Sequence, residues 1–273
     1  MLEEFNEWLK SNTALKSNSR TQYILQIKKF LDNYDLTLDN IRMFLLQQRA
    51  DRHVYIRKFA IKYFLKSLNK DEWNEELKPI YRMIKLKDRR YSRYISNFNK
   101  FKVFLDSLSI ELKTILMLLY DSALRISPII NLKVNDINID EDGYFIEAIE
   151  KGNKRVKRYF DNKTAELLTN ITNNKNQNDY VFRNRNETWW KCYYRYWKEL
   201  KNKSRKAKLV GDFGISFHWV RTTRAIKFYK KYKDLMKVKN LLGHQSVQTT
   251  QRYIESGELE SAELIKGERG KWD

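Results

Sequence analysis

The sequence predicts a mainly α-helical protein with one small three-stranded antiparallel sheet, organised as a helical N-terminal bundle and a second, larger domain. Apolar residues recur at helical spacing along most of the chain. One stretch, residues 132–161, switches to short β-branched and aromatic runs punctuated by Asp142-Gly143 and by Lys151-Gly152-Asn153. A length of 273 residues exceeds one small bundle, and two prolines and eight glycines exclude collagen-like and low-complexity architectures.

The elements follow in order. Leu2, Phe5 and Leu9 mark a first helical stripe, and Ile24, Ile27, Phe30 and Leu31 a second. Ile41, Phe44 and Leu45 mark a third, and Phe59, Tyr63 and Leu68 lie on a fourth. Polar stretches at 17–19 and 32–37 separate them, so a bundle of four or five helices fits residues 1–88. The charged segment KLKDRRYSR, residues 85–93, reads as the linker to a domain spanning 89–273. That domain opens with helices near 98–108 and 110–120. Strands are expected at 132–139, 144–150 and 155–161, and helical patterns resume from there to the end.

Composition narrows the function classes. Hydrophobic residues at 42%, including 14% aromatics, provide for real cores and exclude a disordered chain. No apolar run approaches the roughly 18–20 residues of a membrane span, and the opening MLEEFNEWLK is acidic and polar, unlike a secretory leader. The single cysteine, Cys192, can form neither an internal disulfide nor a cysteine-type zinc site, which fits a reducing, cytoplasmic setting. Fifty-four Lys and Arg against 34 Asp and Glu leave a net +20, of which residues 89–273 carry +15. Such a surplus is best tolerated opposite a polyanion, and nucleic acid is the first candidate. Residues 183–208 concentrate ten cations against two glutamates, interleaved with Trp189, Trp190, Tyr193, Tyr194, Tyr196 and Trp197. Spacings of three and four place most of these rings on a core stripe, leaving the cations on the opposite face for a DNA backbone.

Four separated segments each offer a cation or nucleophile at a marked place. In DSALRISPIINL (121–132), Ser127-Pro128 reads as a helix start, which puts Arg125 in the tight turn before it. Lys151 sits on a hairpin turn. In SFHWVRTTRA (216–225), His218 and Arg221 stand three apart at a helix start. In NLLGHQSVQTTQRYIES (240–256), Gly243 ends one helix, His244 follows, Ser246 can cap the next helix, and Tyr253 rides on it. Taken singly, each has an ordinary structural reading.

In this order and spacing the segments resemble the tyrosine recombinase (integrase) family over residues 100–255. The most specific piece is LLGH followed nine residues later by tyrosine, with H-x-x-R upstream. The resemblance implies that Arg125, Lys151, His218, Arg221 and His244 surround a phosphate and that Tyr253 is the nucleophile. It implies that residues 1–88 form a core-binding, DNA-binding domain and that 89–273 form the catalytic domain. The sequence departs at Ala123, where the motif usually has glycine, at Pro128, where an acid is expected, and at Thr222, which often is histidine.

Chemistry supports that cast. Two guanidiniums suit the oxygens of a reacting phosphodiester. Tyrosine, with a reference pKa of about 10, needs a positive site and a base, the role given to His218. Lys151 is assigned the proton for the departing 5′ oxygen, and His244 a hydrogen bond to the phosphate. The expected function is site-specific DNA recombination, integrase or Xer-like, through a 3′-phosphotyrosyl intermediate without ATP, metal or cofactor. A type IB-like topoisomerase and a catalytically degenerate DNA-binding protein are the alternatives. Expected partners are double-stranded DNA, a homotetramer on two DNA sites that is monomer or dimer when free, and accessory factors, with no membrane. The tail, 257–273, is expected to dock on a neighbouring protomer. A prokaryotic, viral or plasmid origin, with nucleoid association when DNA-bound, completes the expectation.

Overall fold

Short polar residues cap the starts of six described helices, and apolar stripes bury one face of the longer ones. The computed structural model describes residues 1–47, 52–84, 94–150, 154–209, 214–251 and 254–255. The chain divides into two compact units, Met1–Asp88 and Arg89–Asp273.

The first unit contains α1 (Leu2–Asn12), α2 (Ser17–Leu31), α3 (Leu38–Leu46), α4 (Arg52–Ser67), α5 (Asp71–Glu76) and α6 (Lys78–Met83). Thr37 caps α3 by accepting from the Asn40 N–H at 3.2 Å, and Asn69 stops α4 at a left-handed φ of 55°. The core joins Phe5, Leu9, Ile27, Phe30, Phe44, Phe64 and Leu65. Burying each such side chain contributes about 1.5–3 kcal/mol. Arg57 of α4 donates to Gln26 of α2 and to the Phe44 carbonyl of α3, at 3.3 and 3.2 Å, and so stitches three helices. The unit holds more helices than the four or five expected, because α5 and α6 carry no clear apolar period. Pro79, near the start of α6, has no N–H to bond the Glu75 carbonyl, which separates the two short helices.

The second unit contains α7 (Phe98–Leu105), α8 (Ile110–Ser122), α9 (Ile126–Ile130), β1 (Ile137–Asp140), β2 (Gly143–Glu150), β3 (Lys154–Tyr159), α10 (Asn162–Thr172), α11 (Trp189–Lys206), α12 (Phe217–Tyr232) and α13 (Leu235–Leu242). Residues 247–251 and 254–255 are helical as well. The sheet is antiparallel in the order β1-β2-β3, as the sequence predicts. Its first strand begins at Ile137 rather than at 132, because residues Val134–Asp136 form a 3-10 turn closed by Asp136 accepting from the Lys133 N–H at 2.9 Å. The hairpin turns at Glu141-Asp142, and Gly143, at φ +121°, opens β2.

A large core runs from Phe101 and Leu112 through Ile146 and Leu168 to Tyr196, Leu200 and Val220. On α11 the buried positions are Cys192, Tyr196, Leu200 and Ser204, while Trp190 and Tyr194 stay exposed beside Lys191, Arg195 and Lys198. The basic helix therefore has the core stripe and cationic back that its spacing predicts. Burial pushes the Cys192 thiol up to about 11, so it is inert at neutral pH. Asp121, near the end of α8, accepts from the Thr164 hydroxyl (2.7 Å) and the Asp161 N–H (3.2 Å), which fixes α8 against the start of α10. The linker, 85–93, and the tail, 257–273, lie outside the described residues. Among the described residues no helix is long and apolar enough to cross a membrane.

Candidate active site

Four of the six residues singled out in the sequence occupy one corner of the second unit. The corner is built where α8 ends, α12 begins and α13 ends. Lys151 and Tyr253 lie outside the described residues.

The turn after α8 starts at Ala123, which is fully buried and sits at φ 52°, ψ 22°. A side chain in this left-handed region costs on the order of 1 kcal/mol, which is why glycine suits the position. Here the methyl group offsets part of that cost by packing with Ala225, Val238, Leu242 and Ile254. The turn delivers Arg125, half-buried, as the N-cap residue of α9. The sequence places that helix start at Ser127-Pro128; the structure places it two residues earlier. Proline is tolerated throughout a first turn, whose N–H groups have no helical acceptor, so its position does not fix the start.

Arg221 is the largest fully buried side chain in the molecule's described part, at 1% exposure. Its Nη1 donates to the Ala123 carbonyl and its Nη2 to the Leu242 carbonyl, each at 2.5 Å. The guanidinium thus bolts the left-handed turn of α8 to the C-terminus of α13, where helix carbonyls present partial negative charge. Arg158 of β3 donates to the nearby Asn240 carbonyl at 3.4 Å and brings the sheet to the same helix end.

Gly243, at φ 60°, closes α13. Its N–H donates to the Asn240 carbonyl and the His244 N–H donates to the Lys239 carbonyl, both at 3.1 Å. This pairing is a Schellman motif, and it aims His244 back into the corner. His244 is 9% exposed, and its Nδ1 lies 3.0 Å from the Thr250 hydroxyl. Desolvation first, then the charges of Arg221, Arg125 and His218, push its pKa down to about 4. His218, on the first turn of α12, is open to solvent on one side yet crowded by protein on the other. That crowding, followed by the charges of Arg221 and Arg125, lowers its pKa as well. Both imidazoles are therefore neutral at pH 7. The corner gathers two guanidiniums and two imidazoles, a set that suits an anion.

The depressed His244 value carries a stability consequence. Between about 4 and the ordinary 6.5 the unfolded chain binds a proton that the folded chain refuses. Stability from this group is complete above pH 6.5 and lost on acidification toward 4, up to on the order of 3 kcal/mol. Urea midpoints at pH 7.5 and 5 should fall further for the wild type than for His244→Gln. Parallel losses in the two proteins would contradict this assignment.

Sequence reasoning missed Thr250 and the two carbonyls that seat Arg221. The doubled threonine in QTTQRY was the available signal for the first. An open cleft of about 690 Å³ along residues 175–188, lined by Tyr180, Arg183 and Arg185, includes none of the site residues. Among the described residues no group of three His, Cys, Asp or Glu side chains stands together as a metal-binding set.

The second unit is mainly helical with a small sheet, and one corner of it holds two arginines and two neutral histidines. Residues 85–259 match the family described as the phage integrase family. The tyrosine recombinase XerA of Pyrococcus horikoshii is 24% identical over 266 residues, covering 93% of this chain and 88% of XerA. Among solved structures, a lambda integrase dimer bound to a COC′ core site aligns with a TM-score of 0.67 at 17% identity, covering 93% of this chain and 76% of that one. A lambda integrase tetramer bound to a Holliday junction aligns with a TM-score of 0.68 at 14% identity and the same coverage. The chain belongs to the phage integrase family.

Proposed function

We propose that the protein cuts and rejoins double-stranded DNA through a covalent 3′-phosphotyrosyl intermediate formed on Tyr253. Family membership makes it a tyrosine recombinase, a DNA strand transferase of site-specific recombination. The observation that carries the finer reading is the convergence of Arg125, Arg221, His218 and His244 on one positive corner from segments up to 119 residues apart in sequence.

In this reading Arg125 and Arg221 stabilise the phosphate oxygens as they gain charge. Each terminal nitrogen of Arg221 carries two N–H groups and gives one to a backbone carbonyl. His218, neutral at pH 7, takes the phenolic proton of Tyr253. His244 donates to a non-bridging oxygen, and Lys151 protonates the leaving 5′ oxygen. The new bond joins Tyr253 Oη to phosphorus, and the broken bond frees a 5′-hydroxyl. A 5′-hydroxyl from another strand reverses the step, because the phosphotyrosyl ester keeps the bond energy. The cationic side chains supply the charge stabilisation, so the chemistry calls for neither ATP nor a metal.

Two residues near Tyr253 in sequence meet the corner. Thr250 meets His244, and Ile254 packs with Ala123, Val238 and Leu242. The reading extends to a core-binding role for residues 1–88, a catalytic domain in 89–273, and four protomers acting on two duplexes with the tail, 257–273, docked on a neighbour. The exposed cations of α11 would lie along phosphates.

Suicide DNA bearing a nick beside the cleavage site tests the reading, with ATP omitted and a chelator present. A denaturation-resistant protein–DNA adduct at a 3′ phosphate, with a kinase-labelled free 5′-hydroxyl, is the expected outcome. No adduct, or an adduct at the 5′ side, overturns it. Strand exchange between two duplexes, rather than relaxation of one supercoiled circle, separates recombination from topoisomerase action.

A further inference from the structure

We infer that Thr250 is a positioning residue: its hydroxyl donates to His244 Nδ1 and fixes that ring as the tautomer carrying its proton on Nε2. The inference rests on the proposed reading that His244 faces the phosphate.

The argument starts from an ordinary habit that Thr250 breaks. Thr114, Thr222 and Thr223 each return the hydroxyl to the backbone carbonyl four residues earlier, at 2.7, 3.0 and 2.7 Å. The Thr250 hydroxyl has turned instead to His244 Nδ1, 3.0 Å away. Thr250 is fully buried, so its O–H hydrogen must find an acceptor inside the protein. Among the described residues the hydrogen-bond partner of this hydroxyl is Nδ1. A nitrogen that accepts carries no proton, and a neutral imidazole carries one proton in all. The surrounding positive charge and burial keep the ring neutral at pH 7. The proton therefore resides on Nε2, and the ring presents a donor at its far end.

This matters because a phosphate oxygen only accepts. The opposite tautomer would aim a lone pair at the anion and turn an attraction into a repulsion. A hydroxyl that locks an imidazole in one tautomer acts as the partners of catalytic and metal-bound histidines do, where loss costs about 10–100-fold. Thr250 also stands three residues before Tyr253. The contact that sets the donor thus belongs to the segment that carries the proposed nucleophile.

The test combines rates with a spectroscopic signature. Two-bond ¹⁵N–¹H correlation of the three histidines, assigned with His53→Gln and His218→Gln, should show His244 protonated on Nε2 in the wild type. Thr250→Val keeps the shape and removes the hydroxyl. Single-turnover cleavage of suicide DNA at saturating protein should fall about tenfold or more, with DNA affinity unchanged. Thr250→Ser should restore cleavage to near wild type and keep the Nε2 proton. In a His244→Ala background, Thr250→Val should add almost nothing. An Nδ1 proton in the wild type, wild-type cleavage by Thr250→Val, or a full additional loss in the His244→Ala background overturns the inference. If the wild type forms no adduct at all, the recombinase reading fails, while the ring spectrum still decides the tautomer on its own.

Discussion

Replacing Arg221 by alanine is expected to lower cleavage by about 10²–10³ or more and to destabilise the fold at the same time. The first effect follows from loss of a fixed cation at the phosphate. The second follows from its seat. Arg221 is buried and holds the Ala123 and Leu242 carbonyls, and alanine leaves both without that donor. Each orphaned buried carbonyl costs roughly 1–3 kcal/mol, offset in part by removing a buried charge. Arg221→Lys cannot repair this, because one ammonium does not span two carbonyls as a planar fork does. Arg125→Ala supplies the contrast. It is half-buried at a helix N-cap and is expected to lose cleavage to a similar degree while costing less stability than Arg221→Ala. Urea unfolding read beside single-turnover cleavage checks both halves. Equal unfolding midpoints for Arg221→Ala and wild type would remove the anchoring role, and undiminished cleavage would remove the phosphate role.

Tyr253→Phe is expected to abolish the covalent adduct while leaving DNA binding and folding intact. The substitution deletes a single oxygen, and that oxygen is the proposed nucleophile. No other group in the proposed cast can form the same ester: arginine is not nucleophilic at working pH, and His218 and His244 are assigned to proton transfer and hydrogen bonding. Affinity should hold because it arises from many dispersed phosphate contacts, whose counterion release makes binding fall steeply with salt. Adduct formed by Tyr253→Phe at the wild-type level would transfer the nucleophile to another residue and remove Tyr253 from the mechanism.

The fold was legible where local chemistry dictates it. The shift from helical period to β-branched runs around Asp142-Gly143 announced the sheet, and Gly243 marked the end of α13. Boundaries set by distant partners were not legible. The 3-10 turn that delays the first strand is also held from a distance, by Val134 and Asn135 donating to the Asp179 and Gln177 carbonyls, a contact that no local pattern encodes. Helices α5 and α6 escaped notice because six-residue elements show too little period. The same division holds for the corner. Residue type and order pointed to Arg125, His218, Arg221 and His244. That Arg221 spans to a carbonyl 98 residues away, at the turn its partner Arg125 follows, could come only from the three-dimensional arrangement. The turn of the Thr250 hydroxyl from the helix backbone to His244 is visible only in three dimensions.

The buried seat of Arg221 bears on how drift can act on this chain. A descendant that no longer processed DNA would still need that side chain to close the junction of α8 and α13. Selection for mere solubility would preserve it. Retention of the deep guanidinium is thus a fossil of architecture as much as a sign of a working enzyme.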